Sequence, residues 1–183
     1  MLKINSVMEA PKFNELLEQI GKGDQTAFTM LYNEYCEKIL YAAFSIVSDR
    51  SYAEDISNEV FIKIWNGRNG YVKNPNAWIY KMAKNTALNF YRDNIKKLKN
   101  LVPFESVEKS KVTLLSENEA FCLMEFQSML IDLNETDKEI VIMKLFYSYT
   151  YPEIAAELRI AVGTVYARYK SALEKIKELY KKQ

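Results

Sequence analysis

The sequence predicts an all-α protein of two helical domains joined by a flexible linker. Three observations carry that prediction. Gly and Pro are scarce, 5 and 4 in 183 residues, which disfavours turn-rich sheets. Apolar residues recur with helical period over most of the chain. A single stretch, residues 95–116, loses that period and separates two patterned halves.

In the first half, Asp24 of "GKGDQTAF" is an N-cap for a helix from Gln25 to about Val47, with Phe28, Leu31, Tyr35, Ile39, Ala42 and Ile46 as its apolar stripe. "SDRS" breaks it. A second helix runs from about Tyr52 to Trp65 and buries Ala53, Ile56, Val60 and Ile64. "NGRNGYVKNP" is a loop by its glycines, asparagines and proline. A third helix, about Asn76 to Asn94, turns Ile79, Ala83, Thr86 and Phe90 inward. Trp65 and Trp78 read as core residues.

Beyond the linker, helix resumes at about Glu117 and runs to Leu133. Two capping boxes follow, Thr136 with Glu139 in "TDKE" and Thr150 with Glu153 in "TYPE", the latter with Pro152 in the first turn. They start helices at about Asp137 and Tyr151. The second ends near Leu158, and three residues later "VGTVYARYKSALEKI" opens a last helix whose Val165, Tyr169, Ala172 and Ile176 share one face.

Composition excludes much. With no histidine, a Ser-His-Asp triad, a Cys-His pair and the usual zinc sites are ruled out, and there is no Gly-rich phosphate loop. No enzyme activity, cofactor or metal is expected. Cys36 and Cys122 read as buried thiols. No apolar run approaches the roughly 20 residues that span a bilayer, and "MLKINSVMEAPKF" lacks a signal-peptide core, so the expectation is a cytoplasmic protein without membrane insertion.

The net charge of +1 conceals two basic islands. Residues 79–100 and residues 159–183 each carry +5, whereas residues 101–158 carry −7. Two islands on patterned helices favour two anionic contacts. The second lies in a short helix, a three-residue turn and a longer helix, the helix-turn-helix arrangement, whose second helix enters the DNA major groove by its N-terminal half. Gly163 and Ala167, with Thr164 beside them, permit close approach to bases. Arg168, Lys170 and Lys175 reach phosphates, and Tyr166, Lys170 or Ser171 reach base edges. A helical hairpin within a packed bundle is the competing reading of this stretch.

The segments "GDQTAFTMLYNEY", "AEDISNEVFIKIW", "NAWIYKMAKNTALNFYR", "LNETDKEIVIMKLFYSYTYPEIAAEL" and "VGTVYARYKSALEKI" occur in this order, and the resemblance they carry extends over Gly21 to Leu179. Together they resemble the extracytoplasmic-function group of bacterial sigma factors. The resemblance implies a sigma-2-like bundle over residues 1–94, a linker over 95–116 and a sigma-4-like helix-turn-helix domain over 117–183. It also implies a transcription-initiation subunit that joins core RNA polymerase, opens the −10 promoter element with the first domain and reads the −35 element with the second. Core polymerase and promoter DNA are the implied partners, with room for an anti-sigma protein.

Residue by residue, the resemblance places polymerase docking on Asp55, Asn58, Glu59 and Ile62, which fall on one helix face opposite Ile56 and Val60. It places −10 recognition on Lys81, Lys84, Asn85, Asn89 and Arg92, in a stripe that also carries Leu88. Tyr71, in the loop Gly67 to Asn74, is the platform for a flipped base. Four positions depart from the family pattern: Asn58 stands for glutamine, Asn89 for aspartate, Arg159 for glycine and Ala161 for serine. If the turn requires positive φ at Arg159, that residue is strained. A polymerase-independent helix-turn-helix regulator is the alternative function, and it needs no Asp55–Ile62 stripe.

Overall fold

The computed structural model describes residues 8–67, 70–95 and 125–181, and every regular element among them is helical. Helix α1 spans Ala10–Gly21, α2 Gln25–Val47, α3 Arg50–Asn66 and α4 Pro75–Phe90, which continues as a π-helical turn over Tyr91–Ile95. Residues 125–130 form α5, followed by α6 at Glu135–Leu145, α7 at Tyr151–Leu158 and α8 at Val162–Lys181. The expected linker from residue 96 onward, the expected helix start at Glu117, and Cys122 lie outside the described residues.

The starts of these helices are written in side-chain oxygens. Asp24 accepts from the backbone N–H groups of Thr26 and Ala27, Asp49 from Tyr52, and Asn74 from Ala77, with Pro75 in the first turn of α4. Such caps stabilise a helix by about 1 kcal/mol each. The Thr150–Glu153 capping box is complete, both partners accepting from backbone. The expected box at Thr136 is not formed. Asn134 caps α6 instead, its Oδ1 accepting from Asp137 N at 3.0 Å, so the helix begins two residues earlier and the Glu139 carboxylate serves elsewhere.

Helix α1 was not expected from the sequence, although Phe13, Leu16, Leu17 and Ile20 repeat with helical spacing and are all buried. They pack with α2 and α3. The predicted stripes of α3 and α4 hold: Ala53, Ile56, Val60, Ile64, Ile79 and Ala83 are buried, and Val165, Ala172 and Ile176 bury the inner face of α8. Trp78 packs on the core, edge-on to Phe13 at 5.8 Å between ring centroids, whereas Trp65, expected in the core, stays exposed with its ring edge-on to Phe28 at 5.2 Å. Cys36 is only partly buried.

The core does not stop between the two groups of helices. Tyr41 of α2 stacks obliquely on Phe126 and Phe146, and Tyr80 of α4 meets Tyr147 and Tyr149. Polar pins cross the same seam. The Tyr147 hydroxyl donates to the Lys38 carbonyl at 2.6 Å, and Asn76 donates from Nδ2 to the Tyr147 carbonyl while its Oδ1 accepts from the Tyr35 hydroxyl. Burial raises the Tyr35, Tyr80 and Tyr147 hydroxyls well above the usual tyrosine range.

Candidate nucleic-acid and polymerase interfaces

Helix α3 turns Ala53, Ile56, Val60 and Ile64 to the core, which forces Asp55, Asn58, Glu59 and Ile62 to solvent on the far side. Glu59 is paired with Lys63 at 2.7 Å, one turn on. Ile62 keeps 58% of its surface exposed, an apolar side chain at the end of an acidic-amide stripe. Beside it lies an aromatic group that the sequence reading passed over: Phe28, Tyr32, Phe61 and Trp65, with Tyr32 and Phe61 rings 4.6 Å apart. Tyr32, Trp65 and neighbouring Met30 are exposed. Its signal in the sequence is the pairing of aromatics on α2 with those on α3, a long-range relation that helical period alone does not reveal.

Helix α4 buries Ile79, Tyr80, Ala83, Thr86 and Ala87, leaving Lys81, Asn85, Leu88, Asn89 and Arg92 exposed and Lys84 half-covered. Asn85, Leu88, Asn89, Tyr91 and Arg92 line an open groove of about 840 Å³. Arg92 donates to Asn89 Oδ1 along its wall. The π-helical turn over Tyr91–Ile95 adds one residue per turn at this end of the groove, an irregularity that clusters at functional sites. Tyr71 stands 74% exposed in the preceding loop. Lys84 and Lys81 are not free: Glu139 pairs with Lys84 at 2.6 Å and Glu157 with Lys81 at 2.9 Å.

Helices α7 and α8 are joined by Arg159–Ala161. Arg159 adopts φ 56°, ψ 44°, the left-handed conformation that costs a residue with a Cβ about 1 kcal/mol. Ala161 supplies its carbonyl to Val165 N at 3.1 Å and has no side chain with which to cap. Beyond the turn Gly163, Thr164, Tyr166, Ala167, Lys170 and Ser171 are exposed together. A Cβ built on Gly163 meets nothing within 4 Å, so nothing inside the chain calls for glycine there. Tyr166 is 55% exposed, with its ring edge-on to Tyr151.

Arg168 is placed differently from its neighbours. Its guanidinium reaches back to buried Asp137 at 2.9 Å, and Asn134 donates to the same carboxylate. That bond ties α8 to the start of α6. Lys144 lies over the Tyr151 ring at 4.8 Å and donates to the Tyr149 carbonyl, bracing the entry to α7.

Among the described residues no cluster of acids and thiols could hold a metal ion, and no helix is long and apolar enough to cross a membrane. Comparison with known families decides the identity: residues 31–96 match the model of sigma-70 region 2, and residues 123–176 that of sigma-70 region 4. The chain belongs to the sigma-70 family, in its extracytoplasmic-function group. A relative named ECF RNA polymerase sigma factor SigK, from Mycobacterium ulcerans, is 22% identical over 87% of this chain and 89% of its own. A solved structure of CnrH in complex with the cytosolic domain of CnrY shares the fold at TM-score 0.60 and 20% identity, over 94% of this chain and 99% of that one. The sigma factor RpoE in complex with the anti-sigma factor NepR, from Bartonella quintana, aligns at TM-score 0.56 and 20% identity, over 84% of this chain and 96% of the other. This sigma factor thus carries both regions in one chain, all-α as the sequence predicts. A regulator acting without polymerase is not favoured, because region 2 would then have no task.

Proposed function

We propose that this sigma factor docks on core RNA polymerase through Asp55, Asn58, Glu59 and Ile62 and divides promoter recognition between its two halves. Residues 1–94 bind and open the −10 element, with Asn85 and Asn89 offering donors and acceptors to base edges, Lys81, Lys84 and Arg92 holding the strand backbone, and Tyr71 stacking an unpaired base. Residues 117–183 read the −35 element with Gly163, Thr164, Tyr166, Ala167, Lys170 and Ser171, while Arg159 lies at the edge for a phosphate. Arg168 acts there as a positioning residue through Asp137. The protein does this work in the cytoplasm, catalyses no reaction itself, and is open to restraint by an anti-sigma protein.

The observation that carries the docking assignment is the exposed acidic-amide stripe of α3, which lies within sigma-70 region 2 and would repel DNA. Asp55→Arg with Asn58→Arg is expected to abolish association with core polymerase and transcription in vitro, while the helical circular-dichroism signal stays unchanged. Normal association of the folded double variant removes the assignment.

A further inference from the structure

Asn14 of α1 holds the loop that carries Tyr71. Its Nδ2 donates to the Val72 carbonyl at 2.9 Å, and its Oδ1 accepts from the Val72 N–H at 2.7 Å, across 58 positions of chain. Nδ2 also donates to the Ala10 carbonyl at 2.7 Å, one turn back along α1. Both amide N–H donors and the carbonyl oxygen are therefore engaged, which fixes the plane of the side chain. Val72 is buried at 7% exposure, while the adjacent Tyr71 stands 74% exposed.

The amide of Asn14 meets Val72 as the peptide group of a neighbouring strand would, donor to acceptor and acceptor to donor. This two-point contact reaches both peptide planes beside Val72. The Val72 N–H lies in the planar unit that contains the Tyr71 Cα, and the Val72 carbonyl lies in the unit shared with Lys73. Two residues on, Asn74 is fixed in turn as the cap of α4, accepting from Ala77 N at 3.1 Å. The clamp is itself anchored. Phe13, beside Asn14, packs edge-on against Tyr35 of α2 and Trp78 of α4, each at 5.8 Å between ring centroids. Tyr71 is thus an exposed ring on a fixed backbone.

We propose that Asn14 is a positioning residue for base capture: by clamping Val72 from α1, it presets the Tyr71 ring to receive an unpaired base of the −10 element. The proposal rests on the reading of Tyr71 as a base platform given above. It extends the −10 site to α1, which lies before the residues matched by sigma-70 region 2. A ring on a loose loop has to be ordered at the moment of binding, and that ordering is subtracted from the stacking free energy. A ring on a preset backbone stacks without that loss. Asn14 touches no nucleic acid in this scheme and acts only through the loop.

The test uses the full chain, free and in the reconstituted holoenzyme. In the free chain, amide hydrogen exchange at Val72 is expected to quicken about tenfold or more in Asn14→Ala and in Asn14→Asp, whose carboxylate faces the Val72 carbonyl. Ile20→Val, which trims the buried face of the same helix, is expected to leave that exchange within about twofold. The holoenzyme is then titrated with a promoter selected from random-sequence DNA and made with its −10 element unpaired. Tyr71→Ala is expected to weaken binding about five- to a hundredfold, either Asn14 variant about three- to tenfold, and Ile20→Val by less than about twofold. The double variant Asn14→Ala with Tyr71→Ala is expected to bind no worse than Tyr71→Ala alone, since the clamp has nothing to position once the ring is gone. A generally destabilised chain would lose both amounts. Unchanged exchange at Val72 in both Asn14 variants overturns the clamp. A loss from Tyr71→Ala without one from the Asn14 variants, or losses that add in the double variant, overturns the positioning role and leaves the platform in place. No loss from Tyr71→Ala removes the platform and overturns the positioning role with it.

Discussion

The Tyr147 hydroxyl lies 2.6 Å from the backbone carbonyl of Lys38, a residue 109 positions earlier, and donates to it from a fully buried position. Lys38 is itself buried, paired with Glu34 at 2.9 Å. Tyr147→Phe keeps the ring contacts with Tyr80 and loses only the hydroxyl, so a cost of about 1–2 kcal/mol is expected in urea denaturation. Asn76→Ala removes two bonds of the same network, and the double variant is expected to lose less than the sum of the singles.

The Arg159 backbone predicts a gain. Arg159→Gly releases a Cβ from the left-handed conformation at φ 56° and is expected to stabilise the chain by about 0.5–1 kcal/mol. Thermal unfolding measures it. An unchanged or lower midpoint would mean that the arginine side chain compensates locally.

Gly163 separates stability from recognition. Because a Cβ there meets only open space within the chain, Gly163→Ala is expected to raise helix stability by at most about 1 kcal/mol. The same methyl group would stand between α8 and DNA. Transcription by the reconstituted holoenzyme should fall on promoters that depend on the −35 element, while thermal stability rises. Gains in both would show that nothing approaches Gly163 closely.

Lys170 and Asn85 should fail in different ways. Lys170→Ala is expected to weaken use of the −35 element, by about 1–3 kcal/mol where the contact is to a base, and Asn85→Ala to alter −10 choice and opening. Varying the two elements separately in transcription assays distinguishes them. The same shift from both variants contradicts the division of labour.

Alkaline titration reads the aromatic seam. Burial raises Tyr80 and Tyr147 well above their usual range, which favours the neutral form in the folded chain. The unfolded chain loses those protons near pH 10, so their stabilisation is complete below that pH and declines as pH climbs beyond it toward the folded-state values. Tyrosinate absorbance from these residues should appear together with loss of helix. Full ionisation before any unfolding would contradict their burial.

What the sequence made legible follows from the range of the interactions involved. Helical period fixed the inner faces of α3, α4 and α8, because each is decided by residues three or four apart. The Asp24 and Thr150 caps were equally local. Thr136 was misread because Asn134, two residues earlier, offers a competing cap whose advantage depends on where the chain enters α6. Helix α1 carries its own local period in Phe13, Leu16, Leu17 and Ile20. Arg168 illustrates a different limit. On a helical projection it joins the flank proposed to meet DNA, and its bond to Asp137, 31 positions away, shows only in the structure. Nor did the pattern show that Glu139 and Glu157 meet Lys84 and Lys81, since no local rule links charges across a domain boundary.

The carboxylate of Glu153 stands between two helix beginnings. One oxygen accepts from the Thr150 backbone and hydroxyl at the start of α7, and the other accepts from Asn74, the residue that caps α4. Each helix start carries roughly half a positive charge from its aligned peptide dipoles, so two starts brought together repel. One anion between them is attracted to both. Glu153→Gln therefore does more than weaken a cap: it leaves two like-signed dipole ends facing each other, and the penalty should be larger with α4 and α7 together than for α7 standing alone. A single glutamate thus makes the junction of these two helices self-neutralising.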